Sequence, residues 1–199
     1  MITRLKLSTI EQGLPKYRSM LAGNDAYKPS SFESIASATG TGSSGTITFS
    51  SIPSTYTSLQ IRGIFRTDVA SSVQDIFIRF NSDSGTNYAS HFIAGVGSGS
   101  PLTDATASTT RVNGGRSLGS TVASNIISSY VYDIHDYAST SRYKTLRGFG
   151  GDDRNGTGNI RLISGLWMST SAITSVSISL FSGNWTTQTQ ISLYGIKGA

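Results

Sequence analysis

Asp133-Ile134-His135-Asp136 is the run whose residue types come nearest to chemistry, and it holds one of only two histidines, the other being His91. In a strand, Asp133 and His135 would share a face while Asp136 points away. A carboxylate beside an imidazole can move protons, but acyl hydrolysis also needs a positioned serine and an oxyanion hole. Serine is so common here that one near a histidine is expected by chance. Glycan cleavage would need two carboxylates about 5–10 Å apart across a groove. Asp133 with Asp136, or Asp152 with Asp153, are the candidates, and adjacent strand residues face opposite ways. The expectation is a polar strand face or a subunit contact: no enzyme, no catalytic residue, no cofactor.

Two loops carry oxygen ligands. Asn81, Asp83, Gly85 and Asn87 recur at every second position, and Asp152, Asp153, Asn155, Gly156 and Asn159 lie within GGDDRNGTGN. Calcium favours clustered carboxylates and carbonyls. Asx-Gly turns use the same residues without a metal, neither loop has the closing glutamate of an EF-hand, and no metal ligand is assigned. Trp167, Trp185, Tyr130, Tyr132, Tyr137, Tyr143 and Tyr194 could offer stacking faces to a sugar, although aromatics at alternate strand positions usually pack a core or an interface. Arg142, Lys144, Arg147 and Arg154 form the one local basic cluster of this region, read as a solvated loop.

The elements that must position these residues are strands. Charged residues are only 14% of the 199, apolar ones 37%, and glycine contributes 22. That excludes a disordered chain and suits turn-rich β-structure. Val176, Ile178 and Leu180 alternate with Ser175, Ser177 and Ser179, the mark of a sheet buried on one side. Similar signals predict strands at Thr46–Phe49, Leu59–Phe65, Ile76–Phe80, His91–Val96, Ile126–Tyr137, Tyr143–Phe149, Asn159–Trp167, Ile173–Phe181 and Gln190–Ile196. Ser37–Gly45 reads as a flexible tract or a turn and Gly97–Ser120 as one long loop. Eight or nine short strands without a helical period predict an all-β fold, an antiparallel β-sandwich of jelly-roll type.

Residues 1–36 differ in composition and read as an N-terminal attachment arm and linker ahead of a domain over 37–199. Within 1–30, Arg4, Lys6, Lys16, Arg18 and Lys28 oppose Glu11 and Asp25, so this stretch holds three of the five net positive charges. Five cations over thirty residues favour a protein contact over nucleic acid. Leu5, Leu7, Ile10, Leu14, Tyr17, Met20 and Leu21 have no companion face within so short a piece and call for a partner. Ser8 with Glu11 could cap a turn or two of helix before Gly13 and Pro15 interrupt it. There is no cysteine, hence no disulfide. Met1–Leu7 is too short and polar for a secretory h-region, and no run has the apolar length of a membrane span.

Four runs, ITFSSIPSTYTSLQIRG (Ile47–Gly63), IFIRFNSDSGTNYASHFI (Ile76–Ile93), SGLWMSTSAITSVSI (Ser164–Ile178) and SLYGIKG (Ser192–Gly198), resemble a β-domain of bacteriophage tail-fibre and receptor-binding appendages. The resemblance covers about Ser31 to Ala199. It implies a homotrimeric, sandwich-like virion component and carries no catalytic motif. On that footing residues 1–30 would dock to other tail or baseplate proteins, and the sandwich would meet a host surface glycan or protein. A capsid cement or head-decoration protein is the alternative, and a particle-borne glycan depolymerase is the enzymatic rival.

Overall fold

The structure is a computed structural model that describes residues 31–97 and 99–197. The expected arm contacts and the capped turn at Ser8 lie outside the described residues. Among these residues there are twelve strands and no α-helix: β1 (Phe32–Thr39), β2 (Thr46–Phe49), β3 (Ser58–Phe65), β4 (Val73–Phe80), β5 (Tyr88–Val96), β6 (Leu102–Thr109), β7 (Val112–Leu118), β8 (Ser128–His135), β9 (Lys144–Asp153), β10 (Gly158–Trp167), β11 (Val176–Leu180) and β12 (Gln190–Ile196).

The strands form two antiparallel sheets, one ordered β1-β12-β3-β8-β9-β10-β5-β6 and the other β2-β11-β4-β7. Four nested pairings, β1 with β12, β2 with β11, β3 with β8 and β4 with β7, wind the chain as a jelly roll. The hairpins β5–β6 and β9–β10 are inserted into that plan. Both join the same side of the larger sheet, with β9 on β8, β10 on β9 and β5 on β10. The larger sheet therefore reaches past the smaller one that covers its inner face.

Alternation builds the core. Val176, Ile178 and Leu180 turn inward from β11, opposite Phe80 and Ile78 of β4 and Leu59 and Ile61 of β3. Trp167, Tyr88 and Phe80 form one aromatic cluster, with Phe80 and Trp167 centroids 5.6 Å apart. Tyr130 and Tyr132 stack at 5.7 Å, and the Tyr132 hydroxyl donates to Gly114 O at 2.6 Å. The neighbouring Gly115 is required: its φ is +104°, and a Cβ there would sit 2.6 Å from the Tyr130 ring.

Three expectations are corrected. Gly97–Ser120 is not a long loop, because it contains β6 and β7. β6 is an exposed edge strand and β7 packs its inner face with Gly114 and Gly115, so neither shows apolar alternation. Ser37–Gly45 is not a flexible tract throughout: β1 occupies its first third, and bends follow. That strand starts at Phe32, so residues 32–36 belong to the sandwich and not to an arm or linker.

Candidate binding face

Register assembles the outer face of the larger sheet from residues far apart in sequence. Arg62, Val131, Phe149, Leu162 and Ile93 lie side by side across β3, β8, β9, β10 and β5. One step along the strands, Gln60, Asp133, Arg147, Ser164 and His91 form a parallel polar row. Phe149 is 53% exposed, Leu162 58%, Ile160 55% and Ile93 52%. Three open depressions of about 660, 520 and 460 Å³ all share Phe149 in their walls. The smallest also takes in His91, Asp133, Arg147, Leu162 and Ser164.

The apolar residues face outward because of how β10 is threaded. Its inward set is Asn159, Arg161, Ile163, Gly165 and Trp167, so Ile160 and Leu162 must point out. Trp167 and Ile163 hold that register from the core. Arg161 is carried inside as a consequence, only 2% exposed. Its Nε donates to Asn159 Oδ1 at 2.8 Å, and its guanidinium lies 4.4 Å from the Phe92 ring centroid. Asn159 Nδ2 in turn donates to Asp152 Oδ1 at 2.9 Å. Arg154 Nε sits 2.8 Å from Asp152 Oδ2, an ion-pair contact outside hydrogen-bond geometry. Desolvation raises the Asp152 carboxyl above its ordinary range, against the opposing pull of Arg154. Burial, reinforced by Arg116, lowers the Arg161 guanidinium. A buried cation beside exposed isoleucine and leucine reverses the usual preference. An exposed apolar row of that kind marks a contact surface.

The polar row is prepared for hydrogen bonding. Gln60 Nε2 donates to Asp133 Oδ1 at 2.6 Å, and Arg62 Nε donates to Gln60 Oε1 at 2.5 Å. Arg147 stands opposite Asp133 in register yet forms no ion pair among the described residues; its guanidinium reaches Ser164 Oγ at 3.5 Å. At the β1 end of the face, the Arg62 guanidinium lies 5.0 Å from the Phe32 ring and 5.6 Å from that of Tyr194.

The residues singled out from sequence are distributed as follows. Asp133 and His135 do share the outer face, while Asp136 sits in the following turn at φ +52° and pairs with Arg142 at 3.4 Å. Asp152 is buried in its network, and exposed Asp153 accepts from Gly156 N at 3.1 Å. Asp83 accepts from Gly85 N, Asn87 Nδ2 and Trp167 Nε1, the last at 2.7 Å. The Asn87 and Trp167 bonds hold its carboxyl below the usual range. Asn81 Oδ1 accepts from Thr174 N and Ser175 N, and its Nδ2 donates to Ala172 O. This loop pins β4 to the approach of β11, its oxygens engaged by donors. Of the aromatic residues offered as sugar platforms, Trp167, Trp185, Tyr130, Tyr132 and Tyr137 are buried in the core; Tyr143 is exposed. The basic cluster disperses. Arg147 faces out, Arg154 meets Asp152, and Lys144 is buried with its Nζ donating to Arg142 O at 2.6 Å.

Phe149, Leu162, Ile160 and Ile93 were not picked out from sequence, because an exposed apolar residue in a strand looks like a core residue. The chain also spells G-x-S-x-G at Gly115–Gly119. Ser117 lies buried in β7, its Oγ donating to Leu118 O at 3.4 Å. With no helix following, this is not a strand-to-helix nucleophile elbow.

No protein-family model matches the chain, and no curated protein does. Among solved structures it is similar to the Caenorhabditis elegans galectin LEC-6, at 11% identity and TM-score 0.34 over 81% of this chain and 96% of that one. It is also similar to the CBM40 of the Ruminococcus gnavus IT-sialidase, solved with α2,3-sialyllactose, at 10% identity and TM-score 0.29 over 81% and 91%. At these TM-scores the likeness carries no inference for this chain.

Proposed function

We propose that the chain is a bacteriophage virion structural protein, a tail-fibre or receptor-binding subunit that presents its sandwich for host attachment. The observation that carries this reading is the outward row of Val131, Phe149, Leu162 and Ile93 beside an organised polar row. A face of that composition suits repeated weak contacts whose avidity comes from copy number. A homotrimer supplies the copies, and residues 1–30 supply attachment to other tail or baseplate proteins. The four sequence runs that resemble appendage domains support the same assignment.

Cryo-electron microscopy of the intact particle tests it. The expected density is at the tail or baseplate, with residues 1–30 inside a neighbouring protein and the Phe149 face outward. Density on the head lattice, with that face pressed against capsid subunits, would hand the assignment to a capsid cement or decoration protein. The exposed apolar row is the one observation that favours this second reading, since such a row would also pack well against a shell.

A further inference from the structure

We infer that the outer face of the larger sheet binds an uncharged oligosaccharide, laid across the strands with its C–H faces on the Phe149 row and its hydroxyls on the Asp133 row. The inference deepens the attachment reading and rests on it for its place in the particle.

The two rows are chemically distinct and run in parallel. Beyond Arg62 at its β3 end, the first offers an aromatic ring and three aliphatic side chains, with Phe149, Leu162 and Ile93 exposed and Val131 half-buried. The second sets Asp133, Arg147, Ser164 and His91 on consecutive strands, β8, β9, β10 and β5. Adjacent strands are about 4.8 Å apart, so Asp133 to His91 spans about 14 Å. That length suits several linked sugar rings better than one. A pyranose has the same division, with apolar ring faces and a rim of hydroxyls that both donate and accept.

Hydrogen-bonding capacity selects the ligand class. Asp133 Oδ1 is already oriented by Gln60, while Oδ2 accepts nothing among the described residues. Arg147, directly opposite, has its guanidinium unpaired with any carboxylate among them. One acceptor and one planar donor held side by side without neutralising each other match adjacent hydroxyls, one donating to Asp133 and the other accepting from Arg147. A lipid surface would leave this polar row unmatched. An extended peptide would pair with an open strand edge, such as β6, rather than lie across a face. An anionic ligand would meet Asp133 as well as Arg147.

The test is a heteronuclear NMR titration of the full chain with maltotetraose, cellotetraose, chitotetraose and β-1,4-galactotetraose as probes. Saturable shifts on the outer face of β5, β8, β9 and β10 are expected with at least one, at a millimolar dissociation constant typical of a shallow site. Phe149→Ser and Arg147→Ala should each weaken it at least tenfold. Phe181→Ser, on the outer face of the smaller sheet, should leave it unchanged. Leu162→Ser provides a second probe of the row should Phe149→Ser disturb the fold. No saturable shift with any probe, or shifts indifferent to Phe149→Ser, Leu162→Ser and Arg147→Ala, overturns the inference. Adsorption of particles carrying Phe149→Ser separates the two levels. If adsorption fails and no sugar binds, the attachment reading stands with a protein receptor and the sugar inference falls. If sugar binds and adsorption is normal, the sugar inference stands and the attachment reading falls.

Discussion

Leu162 and Ile163 are neighbours on β10 and should respond very unequally to truncation. Both lose three carbons on substitution by alanine. Ile163 is 3% exposed in the core. Ile163→Ala therefore forfeits about 0.8 kcal/mol per buried carbon, or about 2.4 kcal/mol, plus a cavity term. The expected destabilisation is about 3–4 kcal/mol. Leu162 is 58% exposed, so only about two-fifths of the same transfer term applies, with no enclosed cavity to add. Leu162→Ala should cost about 1 kcal/mol or less. Urea unfolding followed by tryptophan fluorescence reads both, since Trp167 and Trp185 are buried and will report loss of the core. A one-residue slip in register exchanges the two faces of a strand. A Leu162→Ala variant as damaged as Ile163→Ala would therefore refute the threading of β10 and, with it, the outward placement of the apolar row.

Alkali should destabilise the fold through its buried phenols. Burial pushes the Tyr88 hydroxyl up to about 12, and burial likewise raises Tyr130 and Tyr132. A raised folded-state value contributes stability that is fully present below the unfolded value near 10 and is lost as pH climbs toward the folded one. Tyr88 alone should remove about 2 kcal/mol by pH 12, and a urea midpoint constant from pH 10 to pH 12 would contradict this. Tyr132→Phe leaves the Gly114 carbonyl without its donor and should cost about 1–3 kcal/mol; an unchanged midpoint would show that bond to be dispensable. Millimolar calcium should leave the melting temperature where it is, because Asp83 and Asn81 already accept from protein donors. A rise of several degrees, scaling with calcium concentration as linkage requires, would reopen the metal reading of the Asn81–Asn87 loop.

How much was legible in the sequence depended on whether a strand's side chains advertised its faces. β11 was readable because valine, isoleucine and leucine alternate with serine and the structure buries the apolar set. β3 was readable for the same reason, with Leu59, Ile61 and Phe65 inside. β10 was readable as a strand but not in its facing: Ile160 and Leu162 have the character of core residues, and Trp167 and Ile163 take the interior instead. β6 and β7 were invisible because an exposed edge and a glycine-lined strand have no apolar period. The jelly-roll class followed from strand count and turn spacing, but the insertion of two hairpins into one sheet depends on long-range pairing that no local pattern records. Of the candidate face, Asp133, Arg147 and His91 were noticed as separate features. Their alignment in one row, and Phe149 beside them, came only with register.

The nesting of β1 against β12 fixes when this protein can finish folding. Their ladder joins Phe32 to Ile196 and Thr39 to Gln190, and the hydroxyls of Ser37 and Ser192 bond across a separation of 155 residues. During synthesis β1 emerges before the other strands and has no partner until β12, about 150 residues later, has been made. The hairpin β9–β10 can close locally, but the outermost ladder must wait. Pairings of such range place all-β domains among the slow folders, with times of milliseconds to seconds. Until β12 arrives, β1 is unpaired on both sides and β3 lacks the neighbour that covers its edge; open strands pair with other chains, so a copy stalled or truncated before Gln190 is an aggregation hazard rather than a smaller domain.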